Sequence, residues 1–224
     1  MSIEGPIRTI QDGLVLHFDA GNNKSYPGSG TTWTDISRNG NNGTLTGGPT
    51  FSGDNLGAIV LDGTDDTINF TYDLRSNWSF ECWVLHSVIS GFSFLGQGPT
   101  TVNNGLHIWF YDNTSLRFGM YANDSDVLSL TTSTTVWYHY CFTYNHSSPY
   151  TKQAFRNGQP LSLTIQNSPA TQYSGTGTVR IGATYSSGGS YANGKFSNVK
   201  LYNRILSPNE ILQNYDAAKS RFGL

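Results

Sequence analysis

The sequence contains few charged residues. Asp, Glu, Lys and Arg together make up 12% of the 224 residues, and the formal net charge is −2. A chain without an excess of basic residues has no strong electrostatic attraction for phosphate backbones or anionic lipid surfaces. We therefore expect neither nucleic acid nor a membrane among its partners.

Long apolar segments are also absent. No window of the sequence reaches the roughly 18 uninterrupted apolar residues that a membrane span requires. Residues 1–12, MSIEGPIRTIQD, lack the basic-then-apolar order of a secretion signal. The sequence therefore predicts a protein without membrane spans that is made in the cytoplasm of its host.

Cysteine is scarce, because the chain contains only Cys82 and Cys141, each inside a strand-like pattern. Their spacing matches no zinc-binding pattern. Since no secretion signal is present, we expect two buried free thiols, with a disulfide as the alternative.

Glycine, aromatic residues and short alternating segments are abundant. The chain has 25 Gly, and 13% of its residues are Phe, Trp or Tyr. Alternation of side chains between two faces, as in 78–85, is typical of a β-strand. Turn clusters such as 123–126 separate such segments from the next one, here 127–130. No linker divides the chain, so we predict an N-terminal arm over residues 1–12 and a single all-β domain over residues 13–224.

One helix is predicted at the C-terminus. Ser207 and Glu210 have the spacing of a capping box, and Pro208 lies at the first helical position. The apolar residues that recur on one face of this helix are Ile211, Leu212, Tyr215 and Ala218. The pattern predicts a short amphipathic helix that packs on the β-structure and ends near Gly223.

Several segments together resemble the laminin-G-like, concanavalin A-like jelly-roll superfamily. In chain order they are GLVLHFDAG (13–21), WTDISRNG (33–40), LDGTDDTINF (61–70), FECWV (80–84), WYHYCFTY (137–144), FRNG (155–158), RIG (180–182) and GKFSNVKLYN (194–203). The resemblance implies an antiparallel two-sheet jelly-roll sandwich with one short C-terminal helix. The superfamily includes lectins, adhesion modules, glycoside hydrolases and virion proteins, so the fold alone does not define the function.

The acid pair of a glycoside hydrolase is missing from its expected place. Retaining glucanases of this superfamily carry two Glu residues flanking an Asp on one strand, which places two carboxyl groups roughly 5 Å apart. This chain has only three Glu residues, of which Glu81 alone lies inside a strand segment, and Asp124 and Asp126 fall in a predicted turn. We therefore predict that the protein is not an enzyme, and Glu81 is the one acid to test for hydrolase chemistry.

A sugar-binding face is predicted on the hairpin formed by 106–111 and 115–121. If the apolar residues at 106, 108 and 110 face the core, His107, Trp109 and Tyr111 face outward, where Arg117 can join them. Aromatic rings stack on the C–H faces of sugars, and polar side chains bind the hydroxyl groups. The predicted ligand-binding residues are Trp109, Tyr111, Asp112, Asn113, Tyr121 and Asn123. The alternative is that these aromatic residues lie under a loop or a neighbouring subunit.

The densest group of acidic residues is Asp62, Asp65 and Asp66, three carboxylates within five residues. Calcium binds six to eight oxygen atoms, so this group could supply part of a structural calcium site. The alternative is a tight turn in which the Asp side chains bind their own backbone and Gly63 adopts a positive φ. No other cofactor is predicted.

The adhesive fold, the missing secretion signal and the missing acid pair together predict a virion surface protein. We expect a non-catalytic capsid decoration or tail- or fibre-associated protein of a bacteriophage that is located in the virion and binds host glycans. Its predicted partners are glycans and capsid or tail proteins, and a homo-oligomer is one assembly state to test. The arm either docks on a particle or forms the first strand of its own sandwich. A carbohydrate-binding module of a cellular adhesion protein and a glycoside hydrolase are the alternative functions.

Overall fold

The computed structural model describes residues 7–185 and 189–224. These residues form two antiparallel sheets that enclose a common core, which confirms the predicted sandwich with a C-terminal helix. The strands of the eight-stranded sheet are β1 (Leu14–Asp19), β4 (Thr50–Ser52), β5 (Ala58–Asp62), β7 (Trp78–His86), β12 (Tyr138–Asn145), β13 (Thr151–Arg156), β14 (Gln159–Leu161) and β17 (Asn193–Tyr202). They lie in the order β14-β13-β12-β7-β17-β5-β4, and β1 also pairs with β17.

The nine-stranded sheet covers the other side of the core. Its strands are β2 (Thr32–Trp33), β3 (Gly43–Thr46), β6 (Thr67–Thr71), β8 (Ser93–Gln97), β9 (Leu106–Phe110), β10 (Leu116–Met120), β11 (Asp124–Val127), β15 (Thr164–Ile165) and β16 (Thr178–Ile181). They lie in the order β15-β11-β10-β9-β8-β16-β6-β3-β2. Four of the neighbouring pairs, β15-β11, β8-β16, β16-β6 and β6-β3, are not consecutive in the chain, so the sheet brings distant segments together on its outer face.

Large aromatic residues fill the core between the sheets. Trp33, Trp78 and Phe94 are fully buried there, and the Trp78 ring lies 5.7 Å from that of Phe118 on β10. Interiors packed in this way are dense and hold each strand in one register. Because the side chains of a strand alternate between faces, the burial of the apolar positions of β9 forces His107 and Trp109 to the outer face.

The predicted helix is α1, Pro208–Ala218, followed by a 3-10 turn over Lys219–Phe222. Its capping box is confirmed: the backbone N–H of Glu210 donates to Ser207 Oγ (3.4 Å), and the Ser207 N–H donates to the Glu210 carboxylate (2.8 Å). A small apolar cluster lies between α1 and the eight-stranded sheet, formed by Cys141, Phe155, Tyr202, Leu206 and Ile211. In the two described ranges, no helix is long and apolar enough to cross a membrane.

Both cysteines are free and buried, as predicted. Burial raises the pKa of the Cys82 and Cys141 thiols, and the negative charge of Glu81 adds to this effect. Neither thiol is therefore activated as a nucleophile.

The predicted arm is described from residue 7 onward, and residues 1–6 lie outside the described residues. Residues 7–12 form no strand. Instead, the Ile10 N–H donates to Asn214 Oδ1 (2.7 Å), and Gln213 Nε2 donates to the Arg8 carbonyl (2.8 Å). Gln213 and Asn214 both lie on α1. This part of the arm packs on the helix and does not add a strand to the sandwich.

The prediction that Asp124 and Asp126 lie in a turn is wrong. Both residues lie in β11, which starts at Asp124 and ends at Val127, three residues before the end of the predicted strand. Asp126 lies opposite Arg117 and Asp124 lies opposite Gly119 on the neighbouring strand β10. Arg117 binds both carboxylates and His107 binds that of Asp124, so both acids are satisfied within the sheet. These contacts override the turn preference of the Asn-Asp-Ser-Asp sequence.

Candidate functional site

The outer face of the nine-stranded sheet carries a pocket of about 340 Å³ where β9, β10 and β11 pair. We call it the outer-face pocket. The residues that line it are His107, Trp109, Arg117, Tyr121, Ala122, Asp124, Asn167 and Tyr185. Its volume lies near the lower end of the range of roughly 300–1,000 Å³ that is typical of small-molecule sites.

The centre of the pocket is a hydrogen bond between His107 and Asp124. His107 Nε2 lies 3.0 Å from Asp124 Oδ1, and His107 Nδ1 lies 2.8 Å from the Gly105 carbonyl oxygen. The bond to Asp124 crosses β10 at Gly119, which lies opposite His107 on one side and opposite Asp124 on the other. A Cβ atom at position 119 would overlap both His107 Nε2 and Asp124 Oδ1. The bond therefore requires glycine at this strand position.

A second glycine shapes the other side of His107. Gly96 on β8 lies opposite His107, and a Cβ atom there would lie 2.8 Å from the backbone nitrogen of Tyr185 and would overlap the Ala183 carbonyl. The backbone that follows β16 can therefore pack directly against the sheet at Gly96. This brings the Tyr185 ring to 4.8 Å from the His107 ring and forms one wall of the pocket.

Arg117 is fixed by two carboxylates. Its Nε and Nη2 donate to Asp126 Oδ1 and Oδ2, each at 2.8 Å, and its Nη1 lies 3.2 Å from Asp124 Oδ2. The Tyr111 ring covers the guanidinium group at 4.5 Å. A bidentate pair of this kind has both charge and directional constraints, so Arg117 has little freedom to move.

Asp124 remains ionised in this setting. Burial by itself raises the pKa of its carboxyl group, but the hydrogen bond from His107 and the charges of His107, Arg117 and Lys152 outweigh burial, so its pKa is lower than usual. Asn167 Nδ2 donates a further hydrogen bond to Asp124 Oδ2 at 3.2 Å. Asp124 is thus a charged acceptor that holds three pocket residues in place.

Aromatic rings flank these polar groups. Trp109 lies opposite Arg117 in the sheet, and Tyr121 meets the Tyr185 ring edge-on at 6.1 Å. Tyr121, Ala122 and Tyr185 adopt positive φ angles of 44°, 67° and 52°, which are unusual for residues other than glycine and often mark functional loops. Burial raises the pKa of Tyr185 to about 12, so its hydroxyl stays neutral and can donate a hydrogen bond.

Two of the six predicted ligand-binding residues, Trp109 and Tyr121, line the outer-face pocket. Tyr111 lies beside it, on Arg117. Asp112 accepts from Thr114 in the adjacent turn, and Asn113 accepts from the Ser90 N–H.

Asn123 is buried below the surface. Its side-chain nitrogen donates to Asn103 Oδ1 (2.6 Å) and Thr171 Oγ1 (3.0 Å), so it fixes a loop instead of facing the pocket. The lining residues that are not among the six predicted ones are His107, Arg117, Ala122, Asp124, Asn167 and Tyr185. Strand alternation indicated His107 and Arg117, whereas no local signal identifies Asn167 or Tyr185, which reach the pocket from distant loops.

The predicted acidic group is brought together. One ligand atom from each of Asp62, Asp65 and Asp66 lies within 4.8 Å of the others, and Asp66 alone is buried. Asp66 Oδ2 accepts from the Asp62 N–H (3.0 Å), and Asp62 Oδ1 accepts from the Thr64 N–H (2.8 Å), as in the alternative turn interpretation. Burial raises the pKa of Asp66, and the two neighbouring carboxylates add to this effect. These residues fit part of an oxygen-ligand shell for calcium, and calcium binding stays a prediction.

Glu81 is buried beneath α1. Its carboxylate accepts from Lys200 Nζ (2.7 Å) and Asn214 Nδ2 (2.9 Å), and His139 Nε2 lies 3.5 Å away. Burial would raise the Glu81 pKa, but the charge of Lys200 and the contact with His139 hold it well below its usual value. Glu81 therefore has no contact with the outer-face pocket and is not suited to donate a proton.

Solved structures with the same fold come from diverse proteins. Domain 4 of AbnA, a GH43 extracellular arabinanase from Geobacillus stearothermophilus solved in complex with arabinotriose, matches 92% of this chain and 98% of its own with a TM-score of 0.67 and 18% identity. Trypanosoma rangeli sialidase in complex with sialic acid matches 93% of this chain with a TM-score of 0.70 and 16% identity, and the match spans 33% of the sialidase. The botulinum neurotoxin type G receptor binding domain matches 91% of this chain and 51% of its own, with a TM-score of 0.65 and 11% identity.

At these identities the likeness establishes the fold alone. No curated protein sequence matches the chain significantly. The family model Laminin_G_3, described as "Concanavalin A-like lectin/glucanases superfamily", matches residues 61–212. This range includes all of β9, β10 and β11 and every residue that lines the outer-face pocket. The chain therefore belongs to the Laminin_G_3 family of the concanavalin A-like superfamily.

Proposed function

We propose that the outer-face pocket binds a carbohydrate and that the protein is a non-catalytic carbohydrate-recognition module. The observation that carries the proposal is the arrangement of three aromatic residues, Trp109, Tyr121 and Tyr185, around a fixed group of polar side chains. Sugars present apolar C–H faces and directional hydroxyl groups, so they need both kinds of partner in one site.

The rigidity of the polar group also favours recognition. The His107, Arg117 and Asp124 side chains are held by one another and by the strands that carry them. A site that is already ordered loses little conformational entropy when a ligand binds, so a larger part of the contact energy contributes to affinity. The arabinanase domain with bound arabinotriose provides a precedent for sugar binding on this fold.

The carboxylates of the pocket are poorly arranged for glycoside hydrolysis. A hydrolase needs a protonated carboxyl group as general acid and a second carboxylate across the scissile bond. Asp124 and Asp126 project from the same strand and are bridged by Arg117, and the pKa of Asp124 is lowered. Asp126 is fully buried behind Arg117. These features support a binding role for the site over hydrolysis.

The proposal is tested by screening a glycan array and then measuring affinities by isothermal titration calorimetry. Trp109→Ala should weaken binding at least about tenfold, since removal of a central aromatic contact typically costs more than about 1–2 kcal/mol. Phe51→Ala is the matched control, because Phe51 is an exposed aromatic residue on β4 of the other sheet.

A second variant tests whether the sugar binds in a different pocket. Tyr72 lines a separate pocket of about 330 Å³ near the ends of β6 and β16. Loss of binding in Tyr72→Ala with retention in Trp109→Ala would move the site to that pocket. Absence of binding to every glycan on the array would contradict a carbohydrate function.

The placement of this module on a phage particle stays a prediction from the sequence, as do the capsid or tail partners and a homo-oligomer. Mass spectrometry of purified particles from the source of the gene tests the placement. Size-exclusion chromatography with light scattering tests the assembly state.

A further inference from the structure

The charged groups of the outer-face pocket are already paired with one another. All three nitrogens of the Arg117 guanidinium lie within 3.2 Å of a carboxylate oxygen, two of them on Asp126 and one on Asp124. His107 faces Asp124 with one ring nitrogen and the Gly105 carbonyl with the other. An anionic ligand at the guanidinium group would therefore lie next to the Asp124 and Asp126 carboxylates, which repel it.

The nearby positive charge of Lys152 is directed elsewhere. Lys152 Nζ donates to the backbone carbonyl groups of Phe118 (3.0 Å) and Asn123 (2.6 Å), and Lys152 does not line the outer-face pocket. Arg117 and Lys152 balance the charges of Asp124 and Asp126, and both ring nitrogens of His107 are already engaged by Asp124 and the Gly105 carbonyl. The balance leaves no uncompensated cation to attract an anion, while the ionised Asp124 carboxylate lies in the pocket wall.

The polar groups that remain available in the pocket are uncharged. In the described parts of the chain, the hydroxyl groups of Tyr121 and Tyr185 have no hydrogen-bond partner, and Asn167 uses only its side-chain nitrogen. Trp109 Nε1 also has no partner in those ranges, but it is buried, so Trp109 contributes its ring to the pocket and not this donor. Neutral donors and acceptors of this kind match sugar hydroxyl groups, and none of them supplies the charge that would offset the desolvation of a carboxylate.

We propose that the outer-face pocket selects neutral sugars and discriminates against sugars that carry a carboxylate or sulfate group. This inference rests on the proposed carbohydrate function and specifies the class of ligand. The ligand is recognised by aromatic stacking and by hydrogen bonds with uncharged groups. The buried ion pairs hold the side chains of the pocket in place and form no ion pair with the ligand.

The experiment compares paired probes with the wild-type protein: neutral galactose-terminated and xylose oligosaccharides, each beside its sialylated or glucuronic acid-substituted form. The neutral probes should bind at least about tenfold more tightly than their acidic counterparts. Raising NaCl from about 50 to about 500 mM should change the neutral affinity less than about twofold, because no ion pair forms with the ligand. Equal or tighter binding of the acidic probes would overturn the inference and leave the proposed function intact. Binding of neither kind of probe would instead reject the proposed function.

A charge variant tests the physical cause. Asp126→Asn removes the carboxylate that occupies two guanidinium nitrogens, so the ratio of neutral to acidic affinity should fall at least about threefold. Asp124→Asn serves the same purpose if Asp126→Asn does not fold, which circular dichroism shows. An unchanged ratio in the folded variant would mean that the paired carboxylates do not set the selectivity, and the inference would be wrong.

Discussion

Gly119 provides the sharpest test of how the candidate site is built. We expect Gly119→Ala to lower the free energy of unfolding by about 1.5–5.5 kcal/mol, since the new Cβ atom would overlap His107 Nε2 and Asp124 Oδ1. Loss of a hydrogen bond to a charged group contributes about 1.5–3 kcal/mol. Crowding in a packed structure adds about 1–3 kcal/mol, and the better strand propensity of Ala returns about 0.5–1 kcal/mol.

The assay is urea unfolding followed by tryptophan fluorescence, with the midpoint and the slope of the transition fitted separately. Gly53→Ala is the control, because position 53 has open space around it and a φ of −76°. In a His107→Ala background the Gly119→Ala substitution should cost at least about 1 kcal/mol less, because the hydrogen bond is already lost. If Gly119→Ala alone stays within about 0.5 kcal/mol of wild type, the 3.0 Å contact between His107 and Asp124 does not constrain the site as we describe.

Three further predictions concern titration, metal binding and catalysis. Burial, with a smaller effect of the Arg156 charge, lowers the pKa of His86 to about 3. As the pH drops below about 6.5, His86 is therefore protonated in the unfolded chain but not in the folded protein, and the free energy of unfolding falls. Between pH 7 and pH 5, His86→Phe should lose about 2 kcal/mol less stability than wild type in urea titrations, and parallel pH profiles would refute this. Calcium should raise the melting temperature of the wild-type protein but not that of Asp65→Asn. Asp73→Asn, which changes an exposed acid elsewhere, is the control and should still show the rise. No rise in the wild-type protein would exclude the calcium site. A polysaccharide that binds the protein should release no reducing sugar, and release that disappears in Asp124→Asn would show that the pocket is catalytic.

Much of the fold follows from local patterns in the sequence. Alternation located β7 and β9 closely, and the capping box located the N-cap of α1 at Ser207. These signals are local, because side-chain alternation and helix capping involve residues only a few positions apart. The order of strands in each sheet is a non-local property, so β8 beside β16 could not be predicted in the same way.

Strand β11 shows where a prediction from local sequence patterns fails. Asn, Asp and Ser favour turns because their side chains bind nearby backbone groups. In β11 the two Asp side chains instead bind Arg117 on the neighbouring strand β10 and His107 on β9, the strand beyond it. The competing interaction is tertiary and stronger than the turn preference, so the segment is extended. Because the local pattern places Asp124 in a turn, it also fails to identify Asp124 as a pocket residue.

The outer-face glycines are the part of the sequence from which more of the site could be inferred. In Leu116–Met120 the apolar residues face the core, which leaves Arg117 and Gly119 on the outer face. A glycine inside a strand weakens it unless another group must approach closely at that position. Gly96 and Gly119 meet this condition on opposite sides of His107, one for the backbone before Tyr185 and the other for Asp124. Interior glycines that share a sheet face with a histidine and an aromatic residue therefore indicate where a strand surface has been opened to form a site.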